Sequence, residues 1–196
     1  KPLPVAAFTS TDECPYFPTT LTDASSVAGG ATITNWNWDI ADDGNVDFTT
    51  QNGTNTWNLG GTYYVELMVE TADGCLDSIV NTITVFPKPE AAFSNTTVCF
   101  GTATDFTDNS TVALNNVINT WDWNFDDGNT STMQSPSNLY GSHGFYDVTL
   151  MIETTNGCRD TVINQVEVYG MPVVDFSMPN KCEYDSVSFV NNTTKP

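Results

Sequence analysis

The run Tyr146-Asp147-Val148-Thr149-Leu150-Met151-Ile152-Glu153-Thr154 repeats the run Tyr63-Tyr64-Val65-Glu66-Leu67-Met68-Val69-Glu70-Thr71. Val148, Leu150 and Ile152 alternate with Asp147, Thr149 and Met151, which puts the apolar set on one face of an extended strand. Asn156-Gly157 follows as a hairpin turn signal. Val162, Asn164, Val166 and Val168 then read as the returning strand. Upstream, Trp36-Asn37-Trp38 recurs as Trp121-Asp122-Trp123, and each pair of tryptophans faces one side of a strand. Further out, Ala6-Ala7-Phe8 recurs as Ala91-Ala92-Phe93 and more weakly as Val174-Asp175-Phe176. The tryptophan pairs and the long runs recur at nearly the same spacing. A repeat that long is a whole small domain rather than one turn of a solenoid.

Two complete units and the start of a third are expected, over residues 1–87, 88–170 and 171–196. Pro87-Lys88-Pro89 and Gly170-Met171-Pro172 separate them. Both linkers are short, and proline limits φ, so neighbouring units are expected to be restrained. The stretch from Met171 to Pro196 holds two strand-like runs at most and cannot close a core alone. The natural chain is therefore expected to continue. Thr102 to Thr107 alternates around Phe106, and no window shows helical periodicity. Short strands at close spacing predict an all-β fold of tandem immunoglobulin-like β-sandwiches.

Composition narrows the function classes. The 196-residue chain has 24 acidic and five basic side chains, a formal charge of −19. Only 15% of residues are charged, against roughly 25% in ordinary soluble domains, so the acidity comes from missing Lys and Arg. About a quarter of the chain is Thr plus Asn, which suits strands, turns and a neutral polar surface. Five cations cannot neutralise a phosphate backbone, so no nucleic-acid partner is expected. No stretch approaches the roughly 20 apolar residues of a membrane helix, and no membrane insertion is expected of this segment. His143 is the single histidine. It stands where the first unit has Gly60, and it reads as a surface loop residue.

The residues resemble those of a known family. Trp38-Asp39-Ile40-Ala41-Asp42-Asp43-Gly44 and Trp123-Asn124-Phe125-Asp126-Asp127-Gly128 look like the W-D-F-G-D-G signature of PKD (polycystic kidney disease) domains. Gly61-Thr62-Tyr63 and Gly144-Phe145-Tyr146 look like the G-x-Y that opens that family's sixth strand. The first unit departs by one inserted residue in the signature turn, and neither unit has the signature's first Gly. A Cys before the second strand, with Asn/Asp-Gly-Cys after the sixth, resembles PKD arrays on giant surface proteins of gliding and related Bacteroidota. The resemblance implies a non-catalytic stalk or filament. Modules of this family also accompany secreted proteases and chitinases, and fold alone does not separate these roles.

Three kinds of side chain could carry chemistry. Trp36 and Trp121 are candidates for a carbohydrate platform, with core packing as the plainer role. Asp39, Asp42, Asp43 and Asn45 crowd one turn, and Asp126, Asp127 and Asn129 crowd its counterpart. Such clustered oxygens suit Ca²⁺, and the plainer role is a turn in which Asp and Asn cap their own backbone. No cofactor is expected to be required, and calcium is the candidate ion. Asp77-Ser78-Ile79, Asp160-Thr161-Val162 and Asp185-Ser186-Val187 resemble the O-glycosylation motif of Bacteroidota proteins, which would modify Ser78, Thr161 and Ser186. Ordinary strand alternation produces the same pattern.

The five cysteines recur with the unit. Cys14 and Cys99 stand one repeat apart, as do Cys75 and Cys158, and again Cys99 and Cys182. No C-x-x-C is present, so an oxidised, exported framework is expected. Pairing within units gives Cys14–Cys75 and Cys99–Cys158. In an immunoglobulin-like topology, however, the first connection and the hairpin between strands six and seven lie at opposite poles. A bridge needs Cα atoms within about 7 Å. That argument prefers Cys14–Cys158, leaving Cys182 unpaired in the fragment, Cys99 awaiting a partner downstream and Cys75 one upstream. A short first strand would restore the within-unit pairing.

The expected function is a non-catalytic repeat segment of an exported cell-surface adhesin or filament protein. It would act as a disulfide-locked spacer that transmits force and presents a distal adhesive region. Adjacent repeats, like chains in a filament and surface polysaccharide are its expected partners. The rival expectation is a carbohydrate- or protein-binding accessory module of a secreted hydrolase.

Overall fold

The computed structural model describes residues 1–41, 43–180, 182–184 and 186–194. Its regular elements are all strands. They gather into two compact units. The first holds Lys1–Pro89 with Val112–Val117 and Thr154–Cys158; the second holds Glu90–Thr111, Ile118–Glu153 and Arg159–Pro196.

In the first unit, Phe8–Ser10, Pro18–Asp23 and Gly53–Thr56 form one antiparallel sheet, with Pro18–Asp23 in the middle. Ile33–Asp39, Gly61–Thr71 and Leu76–Val85 form the other, with Gly61–Thr71 in the middle. A parallel bridge from Glu13 to Val85 shows the chain crossing to the far edge of that second sheet. Alternation explains the two-layer result. Along Gly61–Thr71, Val65, Leu67 and Val69 are fully buried while Tyr64 is exposed and Glu66 and Met68 are half-buried. Each apolar face needs a partner layer, and a second sheet supplies it. Leu21, Trp38, Ile83 and Val85 complete that core.

The second unit is built the same way. Ser137–Asn138, Thr104–Asp108 and Phe93–Asn95 make one sheet. Val98–Cys99, Arg159–Tyr169, Gly144–Thr154, Ile118–Asn124 and Thr130–Ser131 make the other. Val98–Cys99 runs parallel to Val168–Tyr169, where Glu13 meets Val85 in the first unit. Trp123, Phe106, Phe125, Val148, Leu150 and Ile152 lie at the heart of its core.

Two local devices set these strands. The hydroxyl of Tyr63 donates to the Leu59 carbonyl at 2.8 Å, and that of Tyr146 donates to the Ser142 carbonyl at 2.9 Å. Each ties the start of its strand, Gly61–Thr71 or Gly144–Thr154, to the corner just upstream, the tyrosine corner of immunoglobulin-like sandwiches. Gly44 and Gly128 close the acidic turns at φ of +84° and +90°, backbone that side-chain-bearing residues avoid.

Candidate functional site

Trp36 and Trp121 are best understood through the carboxylates that hold them. Asp23 and Asp108 end their strands and fold back on the chain. The Ser25 N–H donates to Asp23 Oδ1 at 2.9 Å, and the Ser110 N–H donates to Asp108 Oδ1 at 2.9 Å. The other oxygen of each accepts an indole N–H, from Trp36 at 2.9 Å and from Trp121 at 2.8 Å. Gln51 and Gln134 donate to the same oxygens at 3.1 and 3.0 Å. The serine hydroxyls donate in turn to the Ala7 and Ala92 carbonyls. Burial pushes both carboxyls up, but the serine, glutamine and tryptophan donors outweigh it and hold them below the ordinary aspartate value. Trp36 and Trp121 are half-buried and pack on their cores. A polar cleft of about 300 Å³ lined by Asn35, Trp36, Asn37, Thr49 and Glu70 opens beside the first of them. Trp38 and Trp123 are the fully buried members of each pair, and their indoles donate to the Thr50 and Met133 carbonyls.

The acidic turns are organised around their own backbone. Asp39 is buried and accepts N–H bonds from Ala41, Asp43 and Gly44, the last at 2.6 Å. Asp43 accepts the backbone and side-chain N–H of Asn45, both at 2.9 Å. In the second unit, Asp126 accepts the Asp147 N–H at 3.0 Å. Asp127 accepts from the Asn129 backbone at 2.9 Å, the Asn129 amide at 3.0 Å and the Asn138 amide at 2.8 Å. Asp42 lies outside the described residues. Among the described residues, no three His, Cys, Asp or Glu side chains are grouped to hold a metal ion. Each of Asp39, Asp43, Asp126 and Asp127 has at least one oxygen engaged by an N–H donor, which is how Asp and Asn cap turns.

Ser78 and Thr161 are exposed on the returning strands Leu76–Val85 and Arg159–Tyr169, and Ser186 is exposed outside any strand. The aspartates of the first two triplets serve the fold. Asp77 accepts the Ala6 N–H and Asp160 the Ala91 N–H, each at 2.8 Å. Asp185 lies outside the described residues. His143 is exposed just before Gly144–Thr154.

Cys14 and Cys158 form a disulfide, with Cα atoms 5.6 Å apart and a sequence separation of 144. Both fall within the first compact unit. Cys158 is buried at the foot of the Asn156-Gly157 turn. The within-unit pairings Cys14–Cys75 and Cys99–Cys158 are therefore not formed. The reason is geometric: Cys14 follows Glu13 at the Val85 end of its sheet, whereas Cys75 follows the turn at the opposite end of Leu76–Val85. Cys75 is a half-buried free thiol, and Cys99 and Cys182 are exposed free thiols.

Several of these groups do not stand out when the sequence is read alone. The Asp23 and Asp108 knots and the partners Gln51 and Gln134 are missed by motif and composition, and Asp77 and Asp160 are read only as members of glycosylation-like triplets rather than as anchors. Recurrence is the signal that could have found them. Asp23 and Ser25 return one repeat on as Asp108 and Ser110, and Gln51 and Asp77 return as Gln134 and Asp160.

The chain is similar to known proteins over these same elements. A family model described as "PKD domain" matches residues 1–86 and again 84–168. A microbial collagenase of Vibrio alginolyticus is 34% identical over 64 residues, which is 33% of this chain and 8% of the collagenase. The chain thus spans a small fraction of that relative's length. Among solved structures, the PKD1 domain of the Vibrio cholerae metalloprotease PrtV is 28% identical, with a TM-score of 0.37, over 42% of this chain and 96% of that one. The PKD1 domain of Vibrio anguillarum Epp is 23% identical, with a TM-score of 0.40, over 42% of this chain and 95% of that one. With the signature turns, the G-x-Y corners and both repeats covered by the family model, the chain belongs to the PKD-domain family.

Proposed function

We propose that this chain is a non-catalytic spacer from an exported surface protein, an adhesin or filament, in which disulfides make the repeats resistant to extension. The observation that carries this reading is the Cys14–Cys158 bond. Its two ends are separated by 144 in sequence, so pulling on the chain ends cannot extend what lies between. Disulfides of this kind belong to oxidising compartments, which supports export. Long hydrogen-bonded hairpins and a surface poor in cations suit a load-bearing shaft. The recurring aspartates and tyrosines are engaged in holding the fold, which supports a mechanical role over turnover.

Single-molecule stretching tests it. Under load the oxidised chain should withhold the enclosed residues, and a reductant should release roughly 500 Å of additional contour length at about 3.5 Å per residue. Equal lengths with and without reductant would contradict the reading.

A second reading has one observation in its favour: the stretch 34% identical to a microbial collagenase. In that case the chain is an accessory module of a secreted protease, and the cleft beside Trp36 is where a polymer would lie. Retention of the purified chain on fibrillar collagen or insoluble glycan, lost on Asn35→Ala with Glu70→Ala, would favour it over the spacer.

A further inference from the structure

The chain forms one disulfide and carries a second, unused copy of each half of it. The hairpin half is the tip that bears Cys158. There the Thr154 N–H donates to the Cys158 carbonyl at 2.9 Å, the Cys158 N–H to the Thr154 hydroxyl at 3.2 Å, and the Gly157 N–H to the Thr154 carbonyl at 2.9 Å. The tip that bears Cys75 has the same three bonds at 2.9, 3.1 and 2.8 Å, made by Thr71, Cys75 and Gly74. The strand half is Cys14, held where the Phe86 N–H donates to the Glu13 carbonyl at 2.9 Å. Cys99 lies on the matching strand, which runs parallel to Val168–Tyr169; there the donor is on the cysteine's own strand, the Phe100 N–H donating to the Tyr169 carbonyl at 2.7 Å, where the first unit has Pro15. Cys75 and Cys99 are both free.

What surrounds each strand half differs. Around Cys14 the apolar surface is covered: Pro15, Pro87 and Pro89 are buried and Phe86 is half-buried. The cavity there, about 450 Å³, is walled in part by Ala113 and Leu114. Around Cys99 the counterparts are open. Tyr169, in the place of Phe86, is 45% exposed, and Pro172, in the place of Pro89, is exposed as well; Phe145 beside them, where the first unit has the exposed Thr62, is 63% exposed. These three line a cavity of about 580 Å³ with Cys99, His143 and Gly144. The first unit thus shows what lies beside such a strand half, namely the Gly-Cys hairpin tip whose Cys158 is bonded to Cys14 and the short loop carrying Ala113 and Leu114.

We propose that the cavity beside Cys99 receives the Asp73-Gly74-Cys75 hairpin of a second copy of this chain, and that Cys99 and Cys75 then join as a disulfide. The two thiols give up two protons and two electrons. A small-molecule disulfide takes them and leaves as two thiols, by ordinary exchange through a mixed disulfide. Donor and acceptor surfaces differ, so the contact is heterologous: each copy keeps one free half, and copies add head to tail into an open chain. This inference rests on the spacer reading only in needing an oxidising compartment.

The test is incubation of the purified chain in a buffer of reduced and oxidised glutathione, read by non-reducing electrophoresis and peptide mapping. The expected result is a ladder of dimers and larger species containing one new linked peptide pair, Cys75 with Cys99. Cys75→Ser and Cys99→Ser should each abolish the ladder, and Cys182→Ser should leave it intact. A mixture of the Cys75→Ser and Cys99→Ser chains should stop at the dimer, because only one complementary pair of thiols remains. Chains that stay monomeric, or a ladder linked through Cys182, would overturn the proposal. The same map reports Cys14–Cys158 in every sample. Its presence without a ladder would sink the joining of copies and leave the spacer reading standing, whereas its absence would strike the spacer reading itself.

Discussion

The first and second units solve one packing problem with different side chains. In the second, Phe125 lies just beyond Trp123 and stacks on it at 6.2 Å, and Phe106 packs against both. In the first, Ile40 stands in the place of Phe125 and Leu21 in the place of Phe106. The missing ring is supplied from further along the chain: Phe48 stacks on Trp38 at 5.6 Å. To bring Phe48 there, the acidic turn closes with a bridge between Trp38 and Phe48, a longer span than the one between Trp123 and Ser131. Gly53 completes the substitution, since a Cβ at that position would collide with the Phe48 ring. The second unit has Pro136 there and no such ring to admit. Phe8 and Phe93 meet the two tryptophans edge-on from the same position, each at 5.1 Å, while the stacked partner comes from different places in sequence, Phe48 and Phe125. The Asp23 and Asp108 knots and the Tyr63 and Tyr146 corners, by contrast, keep both their chemistry and their place.

This contrast predicts which paired substitutions should cost alike. Trp38→Ala and Trp123→Ala remove the largest fully buried side chains. Each should destabilise its own unit by about 3–5 kcal/mol, read by chemical denaturation. If the two costs differed several-fold, Trp38 and Trp123 would not be equivalent anchors and the comparison would fail.

Asp23→Ala and Asp108→Ala should each cost about 1–2 kcal/mol at neutral pH, since each removes hydrogen bonds to a charged acceptor. Their pH dependence carries a sign. Both carboxyls titrate below the ordinary value of 3.8 in the folded chain. Their stabilisation is therefore complete above that value and is lost as pH falls through the folded values. The difference between wild type and either variant should shrink as pH drops below 3.8. A difference independent of pH would mean that the carboxylate charge plays no part. The smallest effect is expected at the corners. Tyr63→Phe deletes one exposed hydrogen bond and Tyr146→Phe deletes its bond to the Ser142 carbonyl together with the contact to the Ser142 hydroxyl; each should cost about 0.5–1.5 kcal/mol. A loss at only one of these two positions would show that only one unit depends on its corner.

Much of this was legible before the fold was seen, because strand alternation and recurrence are direct consequences of burial. The runs around Val65 and Val148 could bury one face only as paired strands, and the signature turns pointed to the family. The knots were not legible, because Asp23 reads alone as a polar residue at a strand end. Its meaning depends on Trp36 and Gln51, which only folding brings to it. The acidic turns were legible as turns, but composition does not say whether a carboxylate faces an ion or an N–H. The choice among disulfides required knowing which strand ends share a pole, a property of topology rather than of spacing.

The most direct test of the whole account is non-reducing peptide mapping of the monomeric, air-oxidised chain. The account predicts a single peptide pair carrying Cys14 and Cys158, consistent with their Cα separation of 5.6 Å. Recovery of Cys14 with Cys75 and of Cys99 with Cys158 would contradict it.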